Sequence, residues 1–123
     1  MSRQSDEFER CKPWIEAALE YSGGTHTIED IAQGIAERRL QFWPAPNGCL
    51  VTELVKYPRT RVLNVFLGGG EFDQLVDMHG DVIAWAKLQG CTAATISGRK
   101  GWERAFKPLG WEYQFTTLKK DFD

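Results

Sequence analysis

Arg61-Val62-Leu63-Asn64-Val65-Phe66-Leu67-Gly68-Gly69-Gly70 is the stretch that decides the fold. Its first seven residues are almost all apolar and rich in β-branched side chains, without the alternation of a sheet with one wet face. That pattern predicts a strand over 61–67 buried on both faces, central in a sheet. After the three glycines the period changes. Phe72, Leu75, Val76, His79, Ile83 and Ala86 line one face of a helix over about residues 71–89, and Gly90 stops it. Thr92-Ala93-Ala94-Thr95-Ile96-Ser97 then reads as a second strand. A strand–helix–strand unit of this length implies parallel pairing through a right-handed crossover.

Upstream, 40–43 and 49–56 read as two more strands, separated by Pro44-Ala45-Pro46-Asn47-Gly48 and closed by Tyr57-Pro58-Arg59-Thr60. Short breaker-rich loops between neighbouring strands predict an antiparallel meander with 61–67. Before it come two helices. The first covers 6–21 on the spacing of Phe8, Cys11, Ile15 and Leu19, with Lys12-Pro13 as a candidate first turn because an interior Pro loses a hydrogen bond. The second starts at Thr27, which with Asp30 forms a capping box, and carries Arg38 and Arg39 in its last turn. Downstream, a short helix over 100–107 breaks at Pro108-Leu109-Gly110. Residues 111–118 alternate Trp111, Tyr113, Phe115 against Glu112, Gln114, Thr116, as a last strand would.

The 123 residues, 42 % hydrophobic and 26 % charged, fit one domain over 1–123. Five Trp and seven Phe are a high aromatic load. Each buried ring removes roughly 150–250 Å² from water, so most are expected in the core and the rest on a contact surface. A net charge of −2 excludes a general nucleic-acid binder. Arg99, Lys100, Arg104, Lys107, Lys119 and Lys120 crowd the last quarter, either as a solvated face or as a site for an anion or acidic partner. Cys11, Cys49 and Cys91 show no Cys-x-x-Cys spacing, and neither His26 nor His79 has a nearby Cys. Reduced thiols and no metal site are the expectation. The polar, acid-bearing N-terminus reads as no signal peptide, and no apolar run approaches the ~20 residues of a membrane span. A cytoplasmic placement follows.

The element order over 61–118 resembles the GNAT-type N-acetyltransferase fold, and the N-terminal helices and meander resemble it more loosely. The resemblance implies a mixed α/β (α+β) sheet: two N-terminal helices, an antiparallel meander, then β-α-β-α-β with a central splayed parallel pair. In that family a Gly-rich loop after a central strand holds the pyrophosphate of coenzyme A on backbone N–H groups at the start of the next helix, where the helix dipole favours an anion. Leu67-Gly68-Gly69-Gly70 stands in that place. Trp85-Ala86-Lys87-Leu88-Gln89-Gly90-Cys91 is similar to the family's helix end and next strand. Trp102-Glu103-Arg104-Ala105-Phe106-Lys107-Pro108-Leu109-Gly110-Trp111 is similar to its late helix and closing aromatic.

Carried over residue by residue, the resemblance implies acetyl-CoA as cofactor and no metal. Leu67, Gly68, Gly69 and Gly70 would lie at the pyrophosphate, Arg99 and Lys100 at the nucleotide phosphate, and Glu53 as general base for an amine lying across the splay. The glycines read equally as a tight strand-to-helix turn, and a solvent-facing strand residue is the commoner reading of Glu53. Two departures bear on chemistry. Glu71 and Asp73 stand at the helix start, where the family has Gln or Arg before its glycines. Like charges at ~4 Å repel by about 1 kcal/mol even in bulk water. The family's frequent Tyr acid is Phe106, which has no proton to give a leaving thiolate. A positioned acid typically contributes ~10²–10⁴-fold.

Two functions therefore stand open: N-acyl transfer from acetyl-CoA to an amine, or a catalytically inactive GNAT-like protein working through protein–protein contacts. The compact, motif-stripped, aromatic-rich chain looks similar to phage virion components of the internal core or the portal and neck. That would place it in the host cytoplasm or the virion. Trp43, Trp102 and Arg104 would then be contact residues toward neighbouring subunits, as in a ring.

Overall fold

The structure, a computed structural model, describes residues 3–22, 24–97 and 100–122. Helices α1 (Arg3–Leu19) and α2 (Ile28–Ala36) precede strands β1 (Leu40–Ala45), β2 (Gly48–Lys56) and β3 (Arg61–Gly70). Helix α3 (Phe72–Leu88), strand β4 (Ala93–Ile96) and helix α4 (Lys100–Phe106) follow, with a 3-10 turn over Lys107–Leu109. The sheet is ordered β1-β2-β3-β4; the first three strands pair antiparallel and β3 pairs parallel with β4. The meander and the parallel crossover are as the sequence implies.

The sheet is covered on both faces, which explains why β2 begins with five buried residues in a row. On one face Leu50, Leu63 and Val65 pack with Leu75, Val82 and Ala86 of α3 and Trp102 and Phe106 of α4. On the other, Cys49, Val51 and Leu67 pack with Cys11 and Ile15 of α1 and Ile31 of α2. Each fully buried Leu or Ile of this kind contributes about 1.5–3 kcal/mol. Thr52 is a polar side chain buried in this core, and it is satisfied: it accepts from Trp43 Nε1 at 3.0 Å and donates to Gln41 Oε1 at 2.9 Å.

Four expectations are corrected. Pro13 lies inside α1, not in its first turn. It sits on the exposed side, so the carbonyl of Glu9, four residues earlier, is left on the helix's wet side, while Cys11 and Ile15 bury the other. Arg38 and Arg39 lie beyond α2, and Arg38 takes a left-handed φ of 61° that closes the helix through Arg39 N–H to Gly34 O. The Thr27–Asp30 capping box does form. Residues 111–118 form no strand; the chain from Trp111 to Phe122 runs without a ladder. The glycines at 68–70 are not a loop at all. They are the end of β3, paired with Leu50, Cys49 and Gly48 of β2.

Candidate functional site

Sheet continuity breaks where β3 and β4 part. The last β3–β4 pair is Val65↔Ile96, yet β3 runs on to Gly70. One residue past that pair the β2–β3 register shifts: Val65 faces Thr52 and Leu67 faces Val51, leaving Phe66 without a register partner on β2. The shift is that of a β-bulge, a feature that bends a strand, and it falls where β3 leaves β4. Phe66 meets the His26 ring edge-on at 4.8 Å.

Three half-buried polar side chains cross the sheet one rung before the parting. Glu53, Asn64 and Thr95 are register neighbours on β2, β3 and β4. Asn64 Nδ2 donates to Glu53 Oε1 at 2.9 Å, and Thr95 Oγ1 donates to Asn64 Oδ1 at 2.9 Å. The chain ends on a carboxylate, which is a proton acceptor or a cation partner. Glu53 is legible in the sequence as a candidate; Asn64 is not, because its importance comes from register alone.

The glycine run has a different logic. A Cβ at Gly68 would stand 2.6 Å from Trp102 Cη2 and 2.9 Å from Leu50 Cδ2; one at Gly69 would stand 2.8 Å from Trp14 Cβ. Gly70 has φ 101°, and a Cβ there would overlap Asn47 O and the Gly48 Cα. Trp102 lies 8 % exposed beneath the strand, stacked on Phe106 with centroids 5.5 Å apart and edge-on to Phe72 at 5.5 Å. The glycines thus make room for two tryptophans and a turn.

The start of α3 is equally committed. Only Glu71 separates β3 from α3. Its N–H donates to Asn47 O at 2.9 Å, and Asn47 N–H donates to Gln74 Oε1 at 3.1 Å. The β1–β2 turn is therefore bolted to the helix start, and Arg10 of α1 holds it from the other side through Ala45 O (2.9 Å) and Pro46 O (3.2 Å). Glu71 caps α3 with no side-chain bond, and Glu71 and Asp73 are both exposed there. A diphosphate at this helix start would meet two carboxylates, and the Glu71 N–H is already taken by Asn47 O, so the start of α3 is poorly matched to the pyrophosphate of coenzyme A. Leu67 is buried against α1 and α2. Arg99, and the Lys100 side chain, lie outside the described residues.

Of the contact residues read from sequence, Arg104 is exposed, Trp43 is half-buried edge-on to Trp85 at 5.6 Å, and Trp102 is core. A contact surface centred on Trp102 is thus ruled out by its packing. Four of the large exposed apolar side chains, Tyr113, Phe115, Leu118 and Phe122, lie in the tail; Leu88 and Tyr57 are among those exposed elsewhere. Among the described residues no cluster of His, Cys, Asp and Glu could hold a metal ion, and no helix is long and apolar enough to cross a membrane. Cys11 and Cys49 meet in the core, where burial pushes both thiols up and away from nucleophilic use.

His79 shows what anchors the tail's root. Trp111 Nε1 donates to His79 Nε2 at 2.8 Å, which requires that nitrogen unprotonated. Burial holds the imidazole below its ordinary value. The unfolded chain takes up this proton near pH 6.5, before the folded one does. The stabilisation is whole above about pH 6.5 and is lost as pH falls from there through the lower folded value. The urea midpoint is expected to fall between about pH 7.5 and 5.5, and to fall less in His79→Leu; equal falls in the two proteins would refute this.

No family model matches the chain, and no curated protein sequence does. Solved structures do. TTHA1254 from Thermus thermophilus aligns with a TM-score of 0.67 as a single-residue variant and 0.65 as wild type. The identities are 15% and 14%, over 95% of this chain and 91% of that one. An acetyltransferase of Trypanosoma brucei aligns with a TM-score of 0.61 at 12% identity, over 90% of this chain and 94% of that one. At such identities the likeness is one of fold, and the fold is thereby placed: a mixed α+β domain with a GNAT-like four-stranded sheet, parted between β3 and β4 and flanked by four helices.

Proposed function

We propose that this chain uses the GNAT-like fold as a protein-contact module and not as an acyl-CoA enzyme. The observation that carries the reading is the glycine run: the space above Gly68, Gly69 and Gly70 is taken by Trp102, Trp14 and the Asn47-Gly48 turn. What the cofactor corner loses, the tail supplies as exposed apolar surface. The setting we propose is the one the resemblance implied, a component of a phage particle in the internal core or at the portal or neck.

N-acyl transfer from acetyl-CoA to an amine is the second reading, and one observation favours it. Glu53, oriented by Asn64 and Thr95, stands beside the parting of β3 and β4, where it could take a proton from an amine. Thermal denaturation with acetyl-CoA separates the two. A ligand at 100 times its dissociation constant adds about 2.7 kcal/mol, which for a domain this size raises Tm by about 10 °C. No shift at millimolar acetyl-CoA is expected. A shift of that size, with amine acetylation lost in Glu53→Gln, would overturn the contact reading in favour of the enzyme.

A further inference from the structure

Two parts of the surface carry uncompensated charge, and the signs are opposite. The first is a cleft of about 570 Å³ where α1 meets α2. That is within the range of binding clefts, roughly 300–1,000 Å³. Phe8 on α1 and Ile28 and Ile35 on α2 give it apolar walls, and Ala32 and Ala36 are too small to fill it. Asp6, Glu9 and Glu29 also line it, against Lys12 alone. Among the described residues Asp6 and Glu29 are in no ion pair, and Glu9 reaches only Lys12, at 3.9 Å. Asp30, next to Glu29, is used by the capping box; Glu29 is not.

The second part is the end of the sheet remote from the parting of β3 and β4. The turn over 57–60 and the loop over 89–92 stand side by side there. Thr92 N–H donates to Arg61 O at 3.0 Å, Arg61 Nη1 donates to Gln89 O at 2.8 Å, and the Thr60 and Thr92 hydroxyls meet. Lys56, Arg59, Arg61 and Lys87 belong to this end, and neither 54–62 nor 86–92 contains an acid. Lys56, Arg59 and Lys87 are exposed, and none is in an ion pair among the described residues. Two apolar side chains stand out on the same segments, Tyr57 at 52% and Leu88 at 84% exposed.

We propose that a second copy of this chain fills the cleft: the basic end of one copy, with Tyr57 and Leu88, seats between α1 and α2 of the next. Charge complementarity selects this occupant, since apolar tips among cations match an apolar cleft among carboxylates. The net charge of −2 hides the separation. The cleft runs the length of α2, nine residues or about 13 Å. Opposite charges at the rim set orientation and speed encounter, while burial of Tyr57 and Leu88 supplies attraction. The cleft belongs to the helices on one face of the sheet, the basic end to a turn and to α3 on the other. The contact is therefore heterologous: copies joined this way form a ring where the rotation closes and a filament where it does not.

This rests on the contact reading and names its partner, yet the two fail separately. An assembly that binds acetyl-CoA would sink that reading and leave this one; a monomer indifferent to acetyl-CoA would do the reverse. Light scattering of the full chain is expected to give a mass above the 14.0 kDa protomer, rising with protein concentration and falling as salt is raised. Arg59→Glu with Lys87→Glu reverses charge at the basic end, and Ala32→Trp plugs the cleft, all at exposed positions. Each variant alone is expected to give the protomer mass with an unchanged far-UV spectrum. Mixed in equal amounts, they are expected to give twice that mass and no more, because the first keeps its cleft and the second its basic end. A wild-type monomer at every concentration, an association that either variant leaves intact, or a mixture that stays at the protomer mass would each overturn the proposal.

Discussion

Gly70→Ala is expected to cost more than about 3 kcal/mol, lowering the urea midpoint by over about 1 M. Two causes act together. The residue has φ 101°, which an L side chain adopts only with strain. Its Cβ would also overlap Asn47 O and the Gly48 Cα, which are backbone and cannot swing aside as a side-chain tip would. Neither can the turn retreat cheaply. Asn47 O accepts the Glu71 N–H, Asn47 N–H is held by Gln74, and Arg10 grips Ala45 and Pro46. Relief at Gly70 therefore means loosening β1, β2, α1 and the start of α3 at once. Gly80→Ala is the control. It lies in α3 with nothing within 4 Å of the new methyl, so the same substitution should stabilise, by about 0.5–1 kcal/mol. A loss below about 1 kcal/mol at Gly70 would show that the turn is free to move and that the bolting argument is wrong.

The contrast between those two glycines also marks what the sequence discloses. The Thr27–Asp30 box is readable because both bonds lie within four residues. The meander and the crossover are readable because period and punctuation are local too. Glycines 68–70 are not. Three in a row suggest a loop by local preference, but β3 uses them as strand because Trp14 and Trp102, far off in the chain, need the space. The alternation over 111–118 misleads for the complementary reason. A period of two specifies a strand's faces but supplies no edge to pair with, and none is taken among the described residues. Of the polar chain beside the parting, Glu53 can be read as a candidate. Its bond to Asn64, and that residue's bond to Thr95, exist only through the register of three strands. Trp102 misleads as a contact residue because Trp beside Arg fits an interface as well as a core, and only its stacking on Phe106 decides.

A double-mutant cycle on Gly68 and Trp102 asks directly whether the glycine serves the fold or a ligand. Gly68→Ala places a methyl where Trp102 Cη2 and Cζ2 and Leu50 Cδ2 already lie, and overpacking of this kind costs about 1–3 kcal/mol. Trp102→Leu removes those ring atoms and leaves a cavity between β3, Phe72 and Phe106, a loss of about 2–4 kcal/mol. If the two share one space, the methyl fills part of the cavity. The double variant should then be more stable than the sum of the singles predicts, by about 1–3 kcal/mol. A glycine kept for close approach of a bound phosphate would behave otherwise. Gly68→Ala would then leave stability within about 0.5 kcal/mol, show no coupling to Trp102, and change only ligand affinity. The cycle thus measures, without any ligand in hand, whether the feature that most resembles a cofactor site has been given over to packing. Glu71 and Asp73 already disfavour a phosphate at the helix start beside it, so coupling at Gly68 would add a second count against coenzyme A at this corner.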